Sequence, residues 1–454
     1  MKRIDQITHV YFLGIGGIGM SALARYFNTR GVSVCGYDKT PSALTRKLEK
    51  EGIRINYSDD PAGIAVKPEI VIRTPAVPES SAIYRYFRDH DIPVMKRAEI
   101  LGMLSARIPT IAVAGTHGKT TISAMLAHIM KSAGKSCLAF LGGISTNYGT
   151  NYIGEPDPVW LIAEADEFDR SFLQLSPRIA LISAIDQDHL DVYESYQEIV
   201  NSFRNFAGLL PGSGSLVCKK GISGFLGYGG KTFEYGTGEG PDYYLENIRI
   251  ENGRYIADFR GRLNISNITL GQPGRHNLEN ALGAAALADQ AGIGSEEIKK
   301  SLFSFSGVKR RFELCLQTDN TVYVDDYAHH PEEIRACIAS ARELWPGRKI
   351  TGVFQPHLYS RTRDLAGDFT KSLSLLDRLI LLDIYPAREE PIEGVSSAML
   401  LERSEVTDAV LCKREELLDI ISSENIEVLL TMGAGDIDRF PEAITQILKN
   451  KALG

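Results

Sequence analysis

"IPTIAVAGTHGKTTISAMLAHIMKSAG", residues 108–134, carries the most information about this chain. The apolar run Ile111 to Ala114 predicts a strand. Ile122, Met125, Leu126, Ile129 and Met130 recur at i, i+3, i+4, i+7 and i+8, which is one buried face of a helix, and Gly134 ends it. Between them lies Gly115-Thr116-His117-Gly118-Lys119-Thr120-Thr121. A Gly-rich turn closed by Lys-Thr, after a strand and before a helix, is the setting of a phosphate loop. Backbone N–H groups at the helix start point at the anion, and the helix dipole favours negative charge there. Lys119 is expected to reach the terminal phosphates of ATP, and the Thr120 hydroxyl to ligate Mg²⁺. Val113 stands where the usual motif has its first glycine, so the loop is a short variant.

Downstream, "VWLIAEAD" (159–166) and "RIALISAIDQD" (178–188) predict two more strands of the same sheet. Each runs into acidic residues: Glu164, Asp166, Glu167 and Asp169 after the first; Asp186, Asp188, His189 and Asp191 after the second. In a parallel sheet all strand C-termini share one edge, and ligands bind outside it. The phosphate loop, Glu164 and His189 are therefore expected to converge, with Thr120, Glu164 and His189 as ligands for Mg²⁺ or Mn²⁺. On its own, His189 reads as a loop histidine satisfied by hydrogen bonds. Residues 212–270 turn to short pieces rich in Gly, Tyr and Asn, which predicts an antiparallel excursion, and 274–292 predicts an Ala-rich helix.

Upstream, "HVYFLGIGGIGM" (9–20) predicts a strand at 10–13, a GxGxxG turn at Gly14, Gly16 and Gly19, and a helix over 18–30 stopped by Gly31. A second strand, 32–38, ends in Asp38, where an acid meets a ribose or a base. A third strand runs from 69 into a Pro-punctuated loop near 78. This fingerprint suits any pyrophosphate on a helix N-terminus, and nothing in it demands a nicotinamide. Toward the C-terminus, strands are expected at 321–325, 350–355, 378–383 and 427–432, with helices between. "VDDYAHHPEE" (324–333) ends a strand and starts a helix. Asp325 and Asp326 suit ribose hydroxyls or a cation. His329 and His330, adjacent at a helix start, do not face one way, so polar contacts to substrate or nucleotide outrank a two-His metal site. Arg361 and Arg363 in "FQPHLYSRTRD" (354–364) are forks for carboxylate or phosphate, or members of a solvated basic loop.

The 454 residues exceed one ordinary core and suggest about three domains. The boundaries expected are 1–106, 107–308 and 309–454, each an α/β unit with its own sheet. Hydrophobic residues make up 44% and charged residues 24%, with net charge −7 and no dominant basic stretch, which argues against nucleic acid or an anionic membrane surface as partner. Six scattered cysteines without a CxxC pair indicate reduced thiols in a cytoplasmic protein rather than a disulfide framework or zinc knuckle. No run is long enough to span a bilayer, and the glycines at 14–19 do not fit a secretory signal.

Taken in order, "GIGGIGM", "AGTHGKTT", "EADEFD", "DHLD", "GRHNLENA", "VKRRFE", "DDYAHHP" and "FQPHLYSRTRD" cover nearly the whole chain, and together they resemble the Mur ligase family. The resemblance implies a Rossmann-like domain for a UDP-sugar, a central P-loop ATPase-like domain with a parallel sheet, and a Rossmann-like C-terminal domain that admits an amino acid. It implies that Gly14, Gly16, Gly17, Gly19, Met20, Asp38, Thr74, Glu167 and Arg170 serve the UDP-sugar. Gly115 to Thr121, Asn277, Asn280, Arg311 and Asp326 would serve ATP. His329, Arg361 and Arg363 would line the amino-acid and acyl-phosphate side, and Lys119, His189, Arg311 and His329 would carry the chemistry. The expected reaction joins an amino acid to a carboxylate through an acyl phosphate, with ATP and Mg²⁺ (or Mn²⁺) as cofactors. Closure of the domains would keep water from the acyl phosphate. Several sister ligases place a carbamylated lysine shortly after the histidine equivalent to His189. No lysine lies between Lys135 and Lys219 here, which fits the alanine-adding branch, with UDP-N-acetylmuramate and L-alanine as substrates. A cytoplasmic monomer or weak homodimer, without membrane insertion, completes the expectation. The rivals are an NAD-linked oxidoreductase, which leaves the phosphate loop and acid clusters without a role, a protein that binds ATP only as a switch, and a ligase of the same chemistry with another acceptor, as in tripeptide recycling.

Overall fold

The computed structural model describes residues 4–186, 193, 195–387 and 389–453, and three sheets organise them. The first consists of β1 (His9–Leu13), β2 (Ser33–Tyr37), β3 (Arg54–Asn56), β4 (Ile70–Arg73) and β5 (Val94–Lys96) in the order β3-β2-β1-β4-β5, every pair parallel. Phe12 and Leu13 are fully buried, as expected of a strand covered on both faces. The order reverses beside β1, which is where the Gly-rich turn begins.

The second sheet contains β6 (Thr110–Ala114), β7 (Cys137–Ser145), β8 (Thr150–Gly154), β9 (Trp160–Ala165), β10 (Ile179–Ile182), β11 (Ser215–Lys219), β12 (Lys231–Thr237), β13 (Tyr243–Glu251), β14 (Arg254–Gly261) and β15 (Ile265–Thr269). Its order is β15-β14-β13-β12-β11-β10-β6-β9-β7-β8. The antiparallel excursion expected over 212–270 holds only for its second half, where two residues join β13 to β14 and three join β14 to β15, too few for a parallel crossover. β11 pairs parallel with β10, β12 parallel with β11, and the last turn of β12 parallel with β13. The helix Tyr196–Ala207 lies between β10 and β11 as a crossover. Leu216, Val217 and Cys218 are fully buried, the mark of a doubly covered strand. Most of the glycines lie in the connections, whereas Tyr235, Tyr243, Tyr244 and Tyr255 lie in the strands. A further hairpin, β7–β8, is antiparallel and lies at the other edge of the sheet.

The third sheet holds β16 (Glu313–Gln317), β17 (Val322–Asp326), β18 (Ile350–Phe354), β19 (Arg378–Leu382), β20 (Ala409–Cys412) and β21 (Val428–Met432) in the order β16-β17-β21-β18-β19-β20. Only its edge strand β16 is antiparallel.

Three α/β layers are thus present, but they pack as two compact units: Met1–Glu246 with Asp258–Ser266 and Asn280–Leu302, and Asn247–Ala257 with Asn267–Glu279 and Phe303–Gly454. Within the first unit the helix Ile18–Thr29 packs on β7 and β8. Arg25, 4% exposed, fastens this contact. Its Nε and Nη2 donate to Glu51 at 2.8 and 2.9 Å, and its Nη1 donates to the Asn151 side chain on β8. The Tyr26 and Phe140 rings meet at 5.8 Å. The six cysteines are all free thiols, four of them buried. No helix among the described residues is long and apolar enough to cross a membrane.

Candidate active site

β6 lies between β10 and β9, both parallel to it, with Ala114 level with Ile182 and Ala165. The three strand ends therefore share an edge, as the sequence predicts. The loop leaving β6 is held against the end of β10. Thr116 N–H donates to Ala184 O at 3.1 Å, the Ser183 hydroxyl donates to His117 O, and Asp186 N–H donates to Thr116 Oγ1 at 3.2 Å. The Asp186 carboxylate also lies 3.4 Å from His117 Nε2. Gly115 takes φ +129°, and Gly118 takes φ +83° as N-cap of the helix Lys119–Ser132. A Cβ on Gly118 would sit 2.6 Å from Asn280 Oδ1, so the backbone is bare where Asn280 approaches it. The result is a cradle of helix-start N–H groups open to an anion.

Two carboxylates from the β9 end enter this cradle. Lys119 Nζ donates to Glu167 Oε1 and Oε2 at 2.9 and 2.8 Å and to Gly115 O at 2.7 Å. Burial opposes the lysine charge, yet Glu167, with Asp166 and Glu164 behind it, holds the Lys119 pKa above its ordinary value. Glu164 accepts from Thr120 Oγ1 and Ser123 Oγ, both at 3.1 Å, and from Gly142 N–H at 2.5 Å. The Thr120 hydroxyl against a fixed carboxylate is an oxygen pair that fits Mg²⁺, which keeps several waters and takes the rest of its shell from phosphates. Among the described residues no group of three or more His, Cys, Asp or Glu forms a metal cage. His189, with Asp188 and Asp191, lies outside the described residues. Asp169 is in the short helical segment Phe168–Gln174.

At the first sheet's edge, Gly14 and Ile15 N–H donate to Tyr37 O at 2.8 and 3.1 Å, and Gly16 N–H donates to Asp38 Oδ2 at 2.7 Å. Asp38 thus shapes the Gly-rich turn. Thr74 N–H reaches Leu13 O at 3.2 Å, bringing the end of β4 to the same place. Gly17 is the N-cap of the helix Ile18–Thr29, which carries Gly19 and the buried Met20. Sequence reasoning missed Arg97. Its Nη1 lies 2.5 Å from where a Cβ on Gly19 would stand, and its Nη2 lies 3.8 Å from Asp166. It places a guanidinium between the Gly-rich turn and the β9 end, and no local pattern announces this. Arg170, at φ +53°, pairs with Glu198 at 3.6 Å. Glu167, one of the residues assigned to the UDP-sugar by resemblance, pairs with Lys119 at 2.8 Å.

In the second unit, Asp326 ends β17 with both carboxylate oxygens on backbone N–H groups, Phe312 at 2.6 Å and Ala328 at 2.7 Å. Its neighbour Asp325 pairs with Arg310 at 3.1 Å. The Arg311 guanidinium stands over the Tyr327 ring at 5.0 Å. Asn277, 1% exposed, donates to Pro273 O at 2.6 Å and so stiffens the turn that starts its own helix. His329 Nδ1 lies 3.2 Å from Glu333, and its ring is 6.2 Å from that of His357, which stacks on Tyr385. His330 is the N-cap of the helix Pro331–Leu344. Arg361 is half-buried, whereas Arg363 is exposed and paired with Asp364 at 2.7 Å.

Burial raises the Asp326 pKa from 3.8 to about 7, against the pull of Arg311 and the two N–H donors. A carboxyl with a raised folded pKa binds its proton more tightly in the folded than in the unfolded chain. Stability therefore falls as pH rises through the interval between those values. Asp326→Asn is expected to remove this slope, as read from urea unfolding midpoints between those two pH values. An unchanged slope would refute the assignment.

Three family descriptions match in succession: "Mur ligase family, catalytic domain" over residues 9–108, "Mur ligase middle domain" over 113–288, and "Mur ligase, glutamate ligase domain" over 310–435. The chain belongs to the Mur ligase family. The UDP-N-acetylmuramate--L-alanine ligase of Parabacteroides distasonis is 50% identical over 453 residues, covering 98% of each chain. That of Christiangramia forsetii is 46% identical over the full length of both. Among solved structures, UDP-N-acetylmuramate-alanine ligase MurC from Thermotoga maritima superposes with TM-score 0.84 at 29% identity, covering 98% of this Mur ligase and 100% of that chain. A murein peptide ligase from Psychrobacter arcticus shares the fold, with TM-score 0.70 at 22% identity over 98% and 99%.

Proposed function

We propose that this Mur ligase joins L-alanine to the lactyl carboxylate of UDP-N-acetylmuramate, consuming ATP and releasing ADP and phosphate. The observation that carries the reading is the phosphate loop with Lys119, Thr120 and Glu164 assembled at one sheet edge. Full-length similarity to alanine ligases supports the choice of substrates.

A carboxylate resists an amine because it is a poor electrophile. In the proposed reaction a lactyl oxygen attacks the γ-phosphorus, the bond to the β-γ bridging oxygen breaks, and ADP leaves. The alanine amine then attacks the acyl-phosphate carbonyl, loses a proton, and expels phosphate. The first step joins two anions, so donors fixed in advance lower its barrier. Lys119 and the N–H groups at the start of its helix neutralise the phosphates. Thr120 and Glu164, with His189, would hold Mg²⁺, which would supply further positive charge there. Asn277, Asn280, Arg311 and Asp326 serve the nucleotide. Gly14, Gly16, Gly17, Gly19, Met20, Asp38 and Thr74 serve the UDP-sugar, with Arg170. His329, Arg361 and Arg363 serve the amino acid and acyl phosphate.

The functional domains are proposed as 1–106, 107–308 and 309–454, in a cytoplasmic enzyme that works as a monomer or weak homodimer. The test is phosphate release with ATP, Mg²⁺ and UDP-N-acetylmuramate across a panel of amino acids and peptides. Release should require L-alanine, and release driven only by a peptide would overturn the assignment.

A further inference from the structure

Lys119 is fully occupied in this structure. An ammonium group has three N–H donors, and the acceptors Gly115 O, Glu167 Oε1 and Glu167 Oε2 lie at 2.7, 2.9 and 2.8 Å. Glu167 is 1% exposed, and its segment is fixed from both sides. Its carbonyl accepts from the buried Tyr193 hydroxyl at 2.7 Å and from Arg170 N–H at 3.0 Å. The carboxylate is therefore held by the fold against the lysine. A nucleotide whose terminal phosphates need Lys119 must take it from an acid already in contact with it. Two like-charged groups, phosphate and Glu167, then compete for one cation in a site where water screens poorly.

We infer that Glu167 is a positioning residue that holds Lys119 at the start of its helix and is displaced from it by the terminal phosphates of ATP, so that it sets how strongly ATP must bind to engage the lysine. This rests on the ligase reading above and replaces the UDP-sugar role that resemblance gives Glu167. Its consequence is selective. The competition is with the phosphates Lys119 reaches, so it should act on ATP and leave AMP alone.

The test is equilibrium binding of ATP and of AMP to the full chain with Mg²⁺, without UDP-sugar or alanine. Glu167→Gln keeps a hydrogen-bond acceptor for Lys119 and removes the charge. It is expected to tighten ATP about tenfold, the scale of one charge-assisted hydrogen bond, with AMP affinity unchanged. A merely supporting role would loosen both nucleotides. Unchanged or weaker ATP binding by a folded Glu167→Gln, or an equal gain for AMP, overturns the inference. So does weakened UDP-N-acetylmuramate binding with ATP unaffected, which would return the residue to the UDP-sugar. Should Glu167→Gln not fold, Glu167→Asp draws the carboxylate back by one methylene. It should tighten ATP by a smaller factor, and no tightening overturns the inference. Failure of the unaltered chain to bind ATP would instead defeat the ligase reading itself.

Discussion

Lys119→Ala is expected to cut turnover by about 10²–10³ or more, because it removes a fixed positive group aimed at the phosphoryl being transferred. The truncation acts twice. It takes the charge from the phosphates, and it leaves Glu167, which pairs with Lys119 at 2.8 Å, without its cation in a buried place. Removing one partner of a buried ion pair costs stability. Turnover should therefore be normalised to the folded fraction from a thermal melt. UDP-N-acetylmuramate binding, measured by calorimetry, should survive. Normal turnover in a folded Lys119→Ala protein would remove the phosphate loop from the mechanism.

Gly115→Ala is expected to cost about 2–6 kcal/mol of stability, adding backbone strain to overpacking of a filled site. At φ +129° an L-residue is strained wherever it stands. The added Cβ would also meet Ser183 Oγ at 2.2 Å and the backbone nitrogens of Ser183 and Ala184 at 2.8 and 2.9 Å. The hydroxyl can rotate, but the strand end cannot move without carrying the loop with it. ATP binding should fall along with the urea midpoint. A variant that keeps wild-type stability and affinity would show that the end of β10 does not determine the loop's shape.

Much of this was readable beforehand because the signals were local. The 108–134 strand, turn and helix announce themselves by apolar spacing and glycine. The convergence of Glu164 on Thr120 follows from parallel strands sharing an edge. The contacts that escaped prediction join residues far apart in the chain. Lys119 meets Glu167 across 48 positions, and Arg97 reaches Gly19 and Asp166 with no motif of its own. Strand direction at β11 and β12 was misjudged because glycines mark turns without saying where the next strand returns. Edge strands such as β16 and β20 are short and partly exposed, and leave little periodicity to find.

The Arg25 anchor bears on how the polypeptide can be divided. A fragment ending near residue 108 would strip the helix Ile18–Thr29 of the surface it leans on, stranding a guanidinium whose Asn151 acceptor had been cut away and baring Tyr26 where it meets Phe140. The N-terminal lobe should accordingly behave as a dependent piece, prone to clumping when expressed alone, while excision after the second sheet would preserve its footing.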